Sequence, residues 1–172
     1  MGTIISSAPP AKILSIYAVD GFTAITGSTA NTLTGSILIP ANSITTVPET
    51  GNVAEVTARI VKTGVNGTVI TRIYANTTNS LSGAILLGTT AASGAANLFV
   101  QMARTLFIGK SPINTKVFQA GGAAYDDMAT STGAETAAAV DWGVNQYIIL
   151  AVQNGSALDS TIGSGIIFKI YK

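Results

Sequence analysis

The sequence predicts an all-β protein: an antiparallel sandwich of two β-sheets, jelly-roll-like, with about eight strands. Three observations lead to this fold class. Apolar and polar residues alternate with period two in many short runs, clusters of Gly, Asn, Ser and Thr separate those runs, and no long helical pattern interrupts them. Many short strands with turn signals between them are typical of a sandwich. The 172 residues are enough for one domain with its own hydrophobic core.

The clearest alternation lies in residues 53–62, and a second alternating run lies in residues 68–75. In the first run one face is apolar and the other polar, with Ala54, Val56, Ala58 and Ile60 on the core face and Glu55, Thr57 and Arg59 on the outer face. Asn66 and Gly67 lie between the runs and tolerate positive φ, which favours a two-residue type I′ turn. The predicted hairpin places Val65 opposite Thr68, Ile60 opposite Ile73 and Arg59 opposite Tyr74.

Six further runs have strand-like patterns, and they occupy residues 36–40, 84–88, 98–108, 115–119, 146–152 and 165–171. Residues 128–140 are rich in alanine but contain Gly133 and several threonines, which favours a loop or at most a short helix.

The first 35 residues differ in character from the rest. They contain Pro9 and Pro10, an apolar run at 13–19 and a passage rich in Thr, Gly and Ser. This composition predicts an N-terminal arm or anchor segment, residues 1–35, followed by the sandwich domain, residues 36–172. The alternative is that the apolar run adds an edge strand to the same sandwich.

Composition excludes several functional classes. Charged residues make up 10% of the chain and the net charge is +1, with Lys and Arg scattered singly, so no nucleic-acid partner is predicted. The chain has no cysteine and no histidine, which removes thiolate and imidazole ligands and the usual general base. No catalytic residue, metal site or cofactor is therefore predicted. The apolar runs are too short for a membrane span, so no membrane partner is predicted either.

Four residues are candidate contacts for a ligand or receptor: Tyr125, Asp126, Asp127 and Trp142. The two aspartates could offer oxygens to Ca²⁺, but a standard site takes about six to eight oxygen ligands, and solvated loop acids are the favoured interpretation. Trp142 follows Asp141 and could form a platform for a sugar ring. For the single tryptophan of a chain, an anchor in the core or in an interface is the favoured alternative.

Three segments carry a resemblance to a known group of proteins: VTARIVKTGVNGTVITRIYANTTNSLSGAILLG, NLFVQMARTLFI and AVDWGVNQYIILAVQNGSALDS. They resemble jelly-roll domains of tailed-bacteriophage structural proteins, in which a strand ending in R-x-x-K-T-G precedes one ending in R-I-Y-x-N-T-[TS]-N-S-L-S-G. A long strand and the motif D-W-x-x-[ND]-Q-Y-I-[IL] follow. The resemblance covers about residues 37–172.

The resemblance implies a virion surface protein of the head-fibre, capsid-decoration or tail-fibre type, without an active site. It also implies a homotrimer, made in the host cytoplasm, that attaches to other virion proteins such as capsid or tail proteins. The run at 98–108 is apolar on both faces, at Phe99, Val100, Leu106 and Phe107, and is expected to contribute to the contact between subunits. A module that binds host glycan or a host receptor is the alternative function.

Overall fold

The computed structural model describes residues 13–20, 22–44, 52–108, 115–119 and 134–171; for residues 13–19, 52, 115–119 and 134–137 it describes the backbone alone. These parts of the chain form strands and no helix. The strands are β1 Ile13–Val19, β2 Ile25–Thr26, β3 Thr32–Ile39, β4 Asn52–Thr63, β5 Val69–Asn76, β6 Ile85–Thr89, β7 Phe99–Ile108, β8 Thr115–Gln119, β9 Ala134–Ala138, β10 Gln146–Asn154 and β11 Ser160–Tyr171.

The strands pair in two antiparallel sheets. The larger sheet has the order β1-β11-β4-β7-β8-β9, with β2 also paired to β11, and the smaller sheet has the order β3-β10-β5-β6. Without β2, β8 and β9, eight strands remain in two sheets of four, β1-β11-β4-β7 and β3-β10-β5-β6. This is the strand order of a jelly roll. The predicted two-sheet sandwich is confirmed, and β2, β8 and β9 add to its larger sheet.

The core lies between the two sheets and is built by alternation along each strand. On β4 the predicted core face, Ala54, Val56, Ala58 and Ile60, is fully buried. The facing residues of the smaller sheet, Ile148, Leu150 and Val152 of β10, are buried as completely. Because successive side chains of a strand point to opposite faces, the polar residues of β4 lie on the outside of the larger sheet.

The predicted hairpin between β4 and β5 is wrong. The two strands belong to different sheets, and Ile60 lies between Gly163 and Val100 whereas Ile73 pairs with Leu150 and Gly88. Neither residue of the expected type I′ turn has a positive φ; the described glycines that do are Gly27, Gly64 and Gly83. In a jelly roll the chain crosses from one sheet to the other here, so the Asn66-Gly67 segment is a crossover rather than a hairpin turn.

Two other predictions need correction. Ala134–Ala138, expected to be loop or short helix, is strand β9 and pairs with β8. Its alanines favour a helix and its threonine favours a strand, so composition does not distinguish the two. Within the predicted arm of residues 1–35, Ile13–Val19 pairs with β11. This pairing fits the alternative prediction, in which the apolar run adds an edge strand to the sandwich. Residues 1–12 lie outside the described part.

Candidate functional surfaces

Trp142 is a core residue. Only 2% of its surface is exposed, and its ring lies 5.6 Å from the ring of Phe168, centroid to centroid. The indole face is thus occupied by the protein itself, as the core-anchor interpretation expects. Tyr125, Asp126 and Asp127 lie outside the described residues, so their role as ligand contacts stays a prediction.

A buried ion pair holds one end of the sandwich together. Lys62 continues the inward face of β4 beyond Ile60, and its ammonium lies 3.2 Å from an Asp159 carboxylate oxygen, with both side chains fully buried. The ammonium also donates hydrogen bonds to the carbonyl oxygens of Gly67 at 2.6 Å and Ala95 at 2.7 Å. These contacts use all three N–H bonds of the lysine.

The Asp159 carboxylate is equally well satisfied. It accepts hydrogen bonds from the backbone and side-chain amides of Asn66 and from the backbone N–H of Gly67. Burial raises the pKa of Asp159, but the hydrogen bonds from Asn66, Gly67 and Lys62 outweigh it and lower that pKa to about 2. The pair therefore joins three loops, and its atoms have little capacity left for a ligand.

The outer face of the larger sheet has an apolar row across the strands at each end. One row consists of Ile162, Val61 and Phe99, which are cross-strand neighbours on β11, β4 and β7. The other consists of Tyr171, Val53 and Phe107 on the same three strands. Phe99 is 57% exposed and Phe107 is 52% exposed. We call these the Phe99 row and the Phe107 row.

Hydrogen-bonded polar side chains lie on the same face between the two rows. Arg59 donates from Nε to the side-chain oxygen of Gln101 at 2.9 Å, and the Tyr171 hydroxyl donates to a Glu55 carboxylate oxygen at 2.6 Å. The hydrogen bond to Glu55, burial and the charge of Glu55 raise the pKa of Tyr171. Polar pairs thus separate the two apolar rows.

A pocket of about 320 Å³ opens on this face where β11 bulges between Gly163 and Gly165. Its lining includes Asp20, Thr57, Arg59 and Ser164, together with Gly165, Ile166 and Ile167. The volume is at the lower end of the range of small-molecule sites, about 300–1,000 Å³.

The outer face of the smaller sheet carries a hydrogen-bonded group of side chains that we call the Arg72 cluster: Arg72, Asn31, Gln153 and Tyr74. Arg72 donates from Nη1 to the side-chain oxygens of Asn31 at 3.1 Å and Gln153 at 3.0 Å. The amide of Asn31 donates in turn to the Tyr74 hydroxyl at 3.0 Å.

The Arg72 cluster covers the middle strand of that sheet. Arg72 and Tyr74 on β5 pair with Ala151 and Ile149 on β10, and both reach across β10 to Asn31, next to β3. Ile149 and Ala151 are completely buried although they point away from the core between the sheets. The cluster is therefore a polar cover over an apolar strand.

The sequence patterns predict neither the Lys62–Asp159 pair nor the Arg72 cluster. The alternation of β4 does place Lys62 on its inward face, and that signal was available. The described residues contain no group of three or more His, Cys, Asp or Glu that could hold a metal ion. None of the described segments is a helix long and apolar enough to cross a membrane.

Comparison of the chain with protein-family models, with curated proteins and with solved structures found no match.

Proposed function

We propose that this chain is a non-enzymatic structural protein of a bacteriophage virion, of the head-fibre, capsid-decoration or tail-fibre type. It assembles as a homotrimer and attaches to capsid or tail proteins at the virion surface. The resemblance of its strand and turn motifs supports the class, and the jelly-roll strand order agrees with that resemblance. The observation that carries the proposal is the pair of apolar rows on the outer face of the larger sheet.

The two rows suit a closed ring of three subunits. In a cyclic trimer each subunit offers two different patches, because each contact joins one patch to the other patch of the next copy. The Phe99 row and the Phe107 row lie at opposite ends of one sheet face. Phe99 and Phe107 are each more than half exposed in the single chain, and exposed aromatic residues are enriched in interfaces. We propose that the Phe99 row of one copy contacts the Phe107 row of the next.

Light scattering of the purified protein at micromolar concentration tests the trimer. The wild-type protein should have three times the mass of the chain. Phe99→Glu and Phe107→Glu should each give monomers, because either change places a charge in the contact. Leu158→Glu is the matched control, since Leu158 is 81% exposed and belongs to neither row, and this variant should stay trimeric.

A monomeric wild-type protein would overturn the trimer, and trimeric Phe99→Glu and Phe107→Glu variants would overturn the proposed contact. The virion assignment has its own test. Antibody against this chain should label the surface of purified phage particles in electron microscopy. Particles that carry no label would overturn that assignment.

A further inference from the structure

Arg72 is an isolated cation on the smaller sheet. The strands of that sheet read TLTGSILI, QYIILAVQN, VITRIYAN and ILLGT, and Arg72 is their only charged residue. Its two hydrogen-bond partners, Asn31 and Gln153, are neutral amides. The described residues place no carboxylate within salt-bridge distance of it, since the ion pair found among them is Lys62 with Asp159. No carboxylate of the described residues thus compensates its positive charge.

The cluster also has unused hydrogen-bond donors. Arg72 has five N–H bonds, and two of them are given to Asn31 and Gln153, so three have no partner in the described part of the chain. Because a guanidinium only donates, both amides must turn their oxygens toward it. The Gln153 NH₂ group then points away from Arg72. The Tyr74 hydroxyl accepts from Asn31 and keeps its own proton to donate.

The surroundings fit a flat, extended ligand. Arg72, Tyr74, Asn31 and Gln153 are all half-buried, so their positions are fixed by packing while part of each stays accessible. A second tyrosine, Tyr147, is diagonal to Tyr74 across the β5–β10 pair and is also half-buried. Two aromatic rings beside donor groups on an open sheet face offer stacking together with hydrogen bonding.

We propose that the Arg72 cluster binds a saccharide that carries a carboxylate, such as a uronic or sialic acid. The ligand carboxylate accepts hydrogen bonds from the unused guanidinium N–H groups. The Gln153 amide and the Tyr74 hydroxyl donate hydrogen bonds to sugar oxygens, and Tyr147 contacts a sugar ring. A single guanidinium balances a carboxylate of one charge but not a phosphoryl group, which carries about −1.5 to −2 at neutral pH. This site does not depend on the proposed virion function.

Titration calorimetry with 3′-sialyllactose and with tri-galacturonate tests the site, and lactose is the neutral probe. Arg72→Gln removes the charge and should weaken binding of the acidic sugar that binds by about 10- to 100-fold, the worth of hydrogen bonds to a charged group. Gln153→Glu should weaken binding of the acidic sugar by a similar factor, because the new carboxylate forms an ion pair with Arg72 and competes with the carboxylate of the sugar. Because Gln153→Glu adds an ion pair to the cluster, this variant should fold, and its loss of binding would not be explained by misfolding.

Arg59→Gln is the matched control, because Arg59 also bonds a glutamine side chain but lies on the outer face of the opposite sheet. It should bind the acidic sugar as the wild type does. In NMR spectra of the wild-type protein, the sugar should shift the side-chain signals of Arg72, Asn31 and Gln153.

The proposal is overturned if neither acidic sugar binds, or if lactose binds as tightly. It is also overturned if Arg72→Gln and Gln153→Glu bind the acidic sugar with unchanged affinity, or if Arg59→Gln loses as much affinity as they do. NMR shifts confined to other residues would overturn it as well. None of these outcomes bears on particle labelling or subunit mass, so failure of this site and failure of the proposed function are distinguishable.

Discussion

The Lys62 ammonium lies inside the sandwich and gives all three of its N–H bonds to protein oxygens. The Arg72 guanidinium lies on an outer face and gives two of its five N–H bonds to oxygens of the described residues. Lys62 faces a carboxylate that is itself hydrogen-bonded on both oxygens. Arg72 faces two neutral amides and solvent. The two cations are on consecutive strands, yet one is enclosed by the fold and the other is left with unused donors.

The difference teaches how to separate a structural charge from a binding charge. A fully satisfied buried pair contributes to the fold, and removing one partner leaves the other buried without compensation. A half-buried cation with unused donors stabilises the fold less, and its partners can be hydrated when it is removed. The following three predictions concern this contrast.

The largest expected effect is that of Lys62→Met. The change leaves the Asp159 charge buried without its cation, and we expect it to lower the free energy of unfolding by about 3–5 kcal/mol. Arg72→Met keeps the aliphatic stem over Ala151 and loses only two partly exposed hydrogen bonds, so it should cost about 1 kcal/mol. Urea unfolding of both variants measures the difference. Equal costs would show that the contrast between the two cations is mistaken.

A smaller effect is expected at Gly67, whose backbone belongs to the ion-pair site. A β-carbon at Gly67 would lie 2.6 Å from the backbone nitrogen of Ser156, so Gly67→Asn should cost about 1–3 kcal/mol through overpacking. Gly83 is the control, because it has a positive φ and open space around it. Gly83→Asn should cost only a few tenths of a kcal/mol, since asparagine tolerates that φ.

Thermal melts of the two asparagine variants decide between close packing and backbone conformation as the reason for Gly67. A type I′ turn would have made Gly67→Asn nearly harmless and much better tolerated than Gly67→Val. With contacts this close, both substitutions at Gly67 should lower the melting temperature. A Gly67→Asn protein that melts with the wild type would contradict the packing around the ion pair.

The smallest effect is expected in mild acid. The pKa of Asp159 is about 2 in the folded protein against an ordinary 3.8, so the unfolded chain binds the proton more readily. The contribution of Asp159 is therefore present above about pH 4 and is lost as the pH falls toward 2. At pH 3 the loss is partial, because most folded molecules still carry the ionised carboxylate.

Urea unfolding at pH 6, 4 and 3 measures this loss. Asp159→Asn should remove the part of the acid dependence that arises from this carboxylate. Arg72→Gln should keep the wild-type dependence, since it leaves Asp159 unchanged. If Asp159→Asn and wild-type protein lose stability equally between pH 6 and pH 3, then Asp159 does not have the lowered pKa.

The local alternation of β4 could be predicted from the sequence, and the pairing of β4 could not. The four core residues from Ala54 to Ile60 were placed correctly, because period-two burial is a property of the strand itself. The partners of β4 are β7 and β11, which come much later in the chain, and the nearby Asn66-Gly67 signal pointed to β5 instead. A strong local turn signal thus predicted the wrong neighbour.

The apolar rows could be predicted from the sequence in part, and the Arg72 cluster could not. Phe99 and Phe107 were expected to contribute to an interface, because a strand that is apolar on both faces is visible in the sequence. The Arg72 cluster joins residues 41 and 81 positions apart, so no pattern along the chain brings them together. The sequence around Trp142 fits a sugar platform or a core anchor, and the burial of Trp142 against Phe168 fits the second.

The strand order also dictates when the protein can fold during synthesis. β10 occupies a central position in the smaller sheet between β3 and β5, and β11 occupies one in the larger sheet between β1 and β4. Until these two C-terminal strands leave the ribosome, β1 and β3 lack their sheet partners, and β4 and β5 each have an unpaired edge. Such edges pair readily with other chains. Because Ile13 pairs with Tyr171, the larger sheet cannot be completed until β11 has been made, so folding is expected to be slow. A nascent chain that lacks β10 and β11 is the form most exposed to aggregation.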